Sequence, residues 1–115
     1  MEILTYLKES EIIKRFEILD YKNFHQGFYL KISCLLIDNS RLYIREYSDV
    51  EERNYSYHWQ DINNTLIARW DNAPHYPDIS THPHHKHTKD GVFENYTITI
   101  EEILSEIKTS IDNKL

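Results

Sequence analysis

Apolar and polar positions alternate through most of the chain, and the period changes at both ends. Glu2 to Glu9 places Ile3, Leu4 and Leu7 on one side, which predicts a short helix. Ile12 to Tyr21 is rich in branched and aromatic residues and alternates imperfectly; His25-Gln26-Gly27 reads as a turn. From Phe28 the alternation is clean. Phe28, Leu30, Ile32, Cys34 and Leu36 share a face, as a half-buried strand requires. Asp38-Asn39-Ser40 is a turn, because Asp and Asn tolerate left-handed backbone and bond locally. Leu42 to Tyr47 returns as a strand, and Asp49 to Arg53 is a charged connection.

The next hairpin carries the most information. Tyr55, Tyr57 and Trp59 fall on one face of a strand; Ser56, His58 and Gln60 fall on the other. Asn63-Asn64 suits a two-residue turn. Counting outward sets Gln60 opposite Ile67, Trp59 opposite Ala68, His58 opposite Arg69 and Tyr57 opposite Trp70. One face is then aromatic throughout, while Ser56, His58, Arg69 and Asp71 emerge together on the other. A slip of one residue would undo this sorting. Asn72-Ala73-Pro74 ends the strand, and His75 to Gly91 reads as a long irregular connection. Tyr96 to Ile100 reads as a last short strand. Thr99-Ile100-Glu101-Glu102 fits a capping box, and Ile103, Leu104, Ile107 and Ile111 follow at helical spacing. The expected fold is α+β and a single domain over residues 1–115. It is a twisted antiparallel meander of about five to six strands, with a short N-terminal helix and a C-terminal helix packed on one face.

Composition narrows the classes. The one cysteine, Cys34, lies in an apolar run and reads as a buried core thiol in a reducing compartment. No stretch approaches the roughly 20 apolar residues of a membrane span. The N-terminus lacks a signal-peptide pattern, so a cytoplasmic protein is expected. A formal charge of −6 argues against a non-specific nucleic-acid binder. The acid concentrates near the two ends, however, and five of the seven histidines lie between Arg69 and Lys89 with Lys86. Only Gly27 and Gly91 are glycines, which excludes glycine-rich phosphate or dinucleotide loops. No cofactor is expected.

Three groupings can carry chemistry. The first is His82, His84, His85 and His87 in the segment THPHHKH. On extended backbone His85 and His87 point one way, and His84 and Lys86 the other. Such imidazoles can move protons near neutral pH or bind a transition metal, completed by Asp71 or Asp78. A solvated polar loop would carry the same residues, and the spacing is not that of a structural zinc site. The second is Arg69 to His75. Arg69 suits phosphate or carboxylate, and a neighbouring guanidinium would keep His58 neutral as a base. The third is Tyr43, Arg45 and Tyr47, an aromatic and cationic surface suited to single-stranded nucleic acid.

YSYHWQD (Tyr55 to Asp61), RWDNAPH (Arg69 to His75) and PHHKH (Pro83 to His87), in this order, resemble the TumE family of toxin–antitoxin proteins. LYIREYSD upstream fits as well, and the resemblance spans nearly the whole chain. It implies a toxin, a helix-turn-helix antitoxin as partner, and RNA as substrate. Carried over position by position, it marks His58, Arg69, Asp71, His75, His84, His85 and His87 as the catalytic set. It also implies a second histidine after His75, where this chain has Tyr76.

The enzyme expected from these residues is a metal-independent ribonuclease. His58 or His85 would take the 2′-hydroxyl proton, and His87 would protonate the leaving oxygen. Arg69, with Lys86 or Arg45, would stabilise the phosphorane. Tyr43, Arg45, Tyr57 and Lys86 are the expected substrate-binding set. The alternatives are a protein-binding face without chemistry, a homodimer included, and metal-assisted hydrolysis.

Overall fold

A computed structural model describes residues 2–114. Seven strands form one antiparallel sheet in the order β1 to β7, so neighbours in sequence are neighbours in the sheet. They are β1 (Ile13–Phe24), β2 (Gly27–Leu36), β3 (Arg41–Ser48), β4 (Arg53–Gln60), β5 (Leu66–Asp71), β6 (His85–Thr88) and β7 (Gly91–Glu94). Helix α1 (Glu2–Glu9) precedes them and α2 (Ile100–Asp112) follows.

The α+β meander agrees with the sequence, but the strand number does not. The end of the expected loop, from His85, belongs to the hairpin β6–β7. HKHT and GVFE carry too few apolar residues to signal strands, yet they pair through Lys86↔Phe93 and His87↔Val92 around a turn that ends at Gly91. Gly91 has φ +133°, a backbone that L side chains rarely adopt. Tyr96 to Thr99 is irregular rather than a strand, and Ile100 opens α2. The capping box is present: Glu102 N donates to Thr99 Oγ1, and Thr99 N donates to the Glu102 carboxylate.

The predicted register holds where it matters, with Tyr57↔Trp70, His58↔Arg69 and Trp59↔Ala68. At the tip it differs: Gln60 pairs with Leu66, and Ile67 is the extra residue of a bulge. The turn is not the two-residue type. Asn64 N donates to Asp61 O, Asp61 N donates to Thr65 O, and Asn64 has φ 65°. This is a three-residue loop closed by a left-handed Asn. Its one-residue offset is returned by the bulge, which restores the counted pairing beyond it. Leu36 to Ser40 repeats the same turn with Asn39 at φ 68°. The imperfect alternation of β1 has a similar cause, since its pairing with β2 shifts twice, between Ile13 and Arg15 and between Ile18 and Asp20.

The core lies on one face of the sheet. Leu30, Ile32, Cys34, Leu36, Leu42, Ile44, Tyr55, Tyr57, Trp59, Ala68 and Trp70 form one buried cluster with Ile3 and Leu7 of α1 and Ile103, Leu104, Ile107 and Ile111 of α2. Cys34 is fully buried, and burial pushes its thiol up to about 12. Both helices therefore cover this face and leave the other one open.

Candidate functional site: a histidine and arginine network on the open sheet face

Register fixes what the open face presents. Across the strands run two rows: Lys31, Arg45, Ser56, Asp71 and His85, then Ser33, Tyr43, His58, Arg69 and His87. The second row places Arg69 between two imidazoles, on strands about 4.8 Å apart.

A continuous chain of polar contacts links these side chains. His58 Nε2 lies 3.1 Å from Gln60 Oε1, and Arg69 Nη1 lies 3.4 Å from His58 Nδ1. The guanidinium can only donate, so Nδ1 of His58 accepts and Nε2 carries the proton. Arg69 Nε donates to Asp71 Oδ2 at 3.0 Å. Asp71 Oδ1 accepts from Ala73 N at 3.0 Å and faces His85 Nε2 at 2.9 Å. His85 Nδ1 is 2.8 Å from the Pro83 carbonyl, and His87 Nε2 is 3.7 Å from Asp71 Oδ2.

Burial sorts these groups. Asp71 and His85 are 5% and 2% exposed, with Ala73, Tyr76 and Pro83 among the residues that contact them. Tyr76 packs edge-on against both His85 and His87, with ring centroids 4.9 and 5.4 Å away. His58, Arg69 and His87 remain partly open to solvent. Burial and then the Arg69 charge hold the His58 pKa below the usual histidine range, against a smaller upward pull from Gln60. Burial also lowers His87, with Asp71 pulling upward and His85 and Arg69 downward.

Beside this network lies a basin of about 320 Å³, lined by Lys31, Tyr43, Arg45, Ser56, His58 and Arg69. A second, of about 270 Å³, shares Arg45, Ser56 and Arg69 and reaches Tyr29 and Tyr47. Arg45 is exposed and makes no side-chain hydrogen bond or ion pair among the described residues. Glu2, Glu9, Glu101, Glu102, Glu106 and Asp112 lie on the helices, while Glu17, Asp20 and Asp71 share the open-face rows with Ser33, Lys31 and His85. The two basins themselves hold Lys31, Arg45 and Arg69 together on an otherwise acidic chain.

Four of the expected site residues belong to other surroundings. Tyr57 is on the core face, 1% exposed, and donates to Glu46 Oε1 at 2.6 Å. Lys86 is also on the helix side, over the Trp70 ring and paired with Glu106 at 2.8 Å. Strand alternation that sets His85 and His87 on the open face puts Lys86 on the other one. His84 stacks on Tyr55 and shares a 2.9 Å hydrogen bond with its hydroxyl; burial, then Arg53, lowers its pKa. His75 is exposed, and its ring makes no hydrogen bond among the described residues. Conversely, Lys31, Gln60 and Tyr76 join the site without having been expected there. Lys31 was legible as the cross-strand neighbour of Arg45; nothing in the sequence places Tyr76 on the two histidines.

Fold and site together define a small α+β protein whose sheet carries a solvent-open face of acid–base and cationic groups, backed by two helices. The chain belongs to the TumE toxin family, whose model, described as toxin TumE, matches residues 3–111. No curated protein and no solved structure matches it significantly. No helix among the described residues is long and apolar enough to cross a membrane.

Proposed function

We propose that this toxin cleaves RNA by metal-independent acid–base catalysis on the open sheet face. The observation that carries the reading is the row His58, Arg69, His87, in which one guanidinium stands between two partly exposed imidazoles. Phosphodiester cleavage by a 2′-hydroxyl needs a base, an acid and a cation between them. His58, held neutral, accepts the 2′-hydroxyl proton at Nδ1 once Arg69 Nη1, 3.4 Å away, turns from it to the phosphate. His87 donates a proton to the departing 5′-oxygen; burial lowers its pKa, and the Asp71 carboxylate offsets part of that. Arg69 meets the charge that builds on the phosphorane oxygens. The new 2′-oxygen–phosphorus bond gives a 2′,3′-cyclic phosphate, and the 5′-oxygen leaves as a hydroxyl.

His85 takes no direct part here, since its ring is buried; it holds Asp71, and Asp71 holds Arg69. Arg45 and Lys31 bind flanking phosphates, and Tyr43 offers a ring on which a base can stack. A helix-turn-helix antitoxin is the proposed partner, acting by covering this face.

The test is incubation of purified protein with single-stranded and structured RNA in EDTA, beside His58→Ala and Arg69→Ala. Wild type is expected to release 2′,3′-cyclic phosphate ends and to leave DNA intact. The variants should lose about 10²–10⁴-fold in rate. Equal cleavage by the variants, or none by wild type, overturns the reading. In the second case the face is to be assayed as a surface for protein binding.

A further inference from the structure

We infer that Asp71, His85 and His87 form a binding site for a divalent transition metal of the zinc class, and that an ion bound there switches the open face off.

The argument starts from the hydrogen bonds of His85. Its Nδ1 lies 2.8 Å from the Pro83 carbonyl oxygen, which can only accept, so Nδ1 carries a proton. In the neutral ring Nε2 then presents a lone pair. That lone pair points at Asp71 Oδ1, another acceptor, 2.9 Å away. Both groups are more than nine-tenths buried, so water cannot easily separate them. Two acceptors facing each other in a dry site call for a cation between them, either a proton or a metal ion.

A third donor selects the metal. His87 Nε2 lies 3.7 Å from Asp71 Oδ2, and the three ligand atoms all fall within 4.8 Å of one another. Tetrahedral zinc, with bonds of about 2.0–2.1 Å, holds its ligands roughly 3.3 Å apart. The observed 2.9 Å runs to Asp71 Oδ1 and the 3.7 Å to Oδ2, so each oxygen of the one carboxylate faces one imidazole at close to that spacing. With the widest separation bounded only by 4.8 Å, side-chain shifts of up to about an ångström would seat the ion.

The surroundings match as well. Ligating histidines usually donate their other ring N–H to a carbonyl or carboxylate, which Pro83 O provides for His85. Two imidazoles and one carboxylate suit zinc, cobalt or nickel better than magnesium or calcium. Three protein ligands leave a fourth position for water or an anion. Arg69 opposes the ion, since its Nε donates to Asp71 Oδ2. The site is therefore expected to be reversible rather than structural.

The consequence for activity rests on the proposed cleavage mechanism; the binding does not. A metal on His87 Nε2 removes the nitrogen that would protonate the leaving group, and it draws Asp71 from Arg69. Zinc should then inhibit.

The experiment uses the full chain, stripped with a chelator and titrated with cobalt(II) alone. Wild type should develop the visible bands of four-coordinate cobalt at one equivalent and lose them to zinc. His87→Gln should weaken binding by at least about tenfold, with its circular dichroism spectrum confirming the fold. His25→Ala and His82→Ala should bind as wild type does. No saturable binding, or binding unchanged in His87→Gln, overturns the site. RNA cleavage is measured in parallel. Cobalt binding without any cleavage leaves this site standing and removes the ribonuclease reading. Cleavage in EDTA without cobalt binding does the reverse. Stimulation of cleavage by zinc upholds the site and overturns the inhibitory switch.

Discussion

Replacing Asp71 by alanine should be one of the most destabilising single changes open to this face. The carboxylate is 8% exposed; Arg69 Nε at 3.0 Å and Ala73 N at 3.0 Å donate to it, and His85 Nε2 lies 2.9 Å from it. The Arg69 side chain is 40% exposed, so water takes over much of that bond, and it counts for little. His85 is different. It is 2% exposed, and Nε2 has no other hydrogen-bond partner among the described residues. Hydrogen bonds to a charged group contribute about 1.5–3 kcal/mol, and removing one member of a buried pair costs about 3–5 kcal/mol. With the Ala73 amide added and Arg69 discounted, Asp71→Ala should lose about 3–5 kcal/mol. Unfolding entropy of about 2.1 cal/mol/K per residue, over 115 residues, turns this into a fall in Tm of roughly 12–20 °C. Asp71→Asn keeps one oxygen and should lose about half as much. The assay is urea unfolding followed by tryptophan fluorescence, since Trp59 and Trp70 are both buried in the core. A loss below about 1 kcal/mol for Asp71→Ala, with an unchanged urea slope, would refute the claim that Asp71 organises the site.

Acid should destabilise the protein through its histidines. His58, His84 and His87 all have folded pKa values below the usual range, so the unfolded chain binds more protons and stability rises with pH. That stability is complete above about pH 6.5 and is lost as pH falls through the lower folded values; a urea midpoint that stays flat between pH 7.5 and 5, as chosen test conditions of about that range, would contradict it. Thr99→Ala removes the oxygen that accepts from Glu102 N and should cost about 1 kcal/mol, while Thr99→Ser should cost much less; equal urea midpoints for all three proteins would refute the cap.

The sequence disclosed the site strands better than it disclosed the elements after them. Tyr55 to Trp70 was legible because large apolar and polar residues alternate strictly there, and a wrong register would bury His58 or Arg69. The same alternation separated His85 and His87 from His84 and Lys86, as the structure has it. Tyr57 and Lys86 were nevertheless expected as substrate ligands, and the structure places both on the core side, where Tyr57 meets Glu46 and Lys86 meets Glu106. The hairpin β6–β7 was missed for a physical reason. Its strands are held by pairing to β5 and by contacts such as Tyr76 on His85 and His87, not by their own apolar faces. The Asp90-Gly91 turn was a signal, but it stood between segments that read as polar loop. Tyr76 on the two histidines is a purely tertiary contact, which no local pattern encodes.

The meander order has a consequence for how a toxic activity arises during synthesis. Every strand pairs with the strand made just before it, so the strands can form in the order in which they leave the ribosome. Yet α2 follows all seven and gives five buried side chains, Ile100, Ile103, Leu104, Ile107 and Ile111, to the shared core. Until those residues emerge, one side of the site strands stays wet and their register is weakly held. A nascent chain should therefore be harmless up to its closing helix, and loss of that helix by early termination should disarm the protein while leaving every residue of the open face intact.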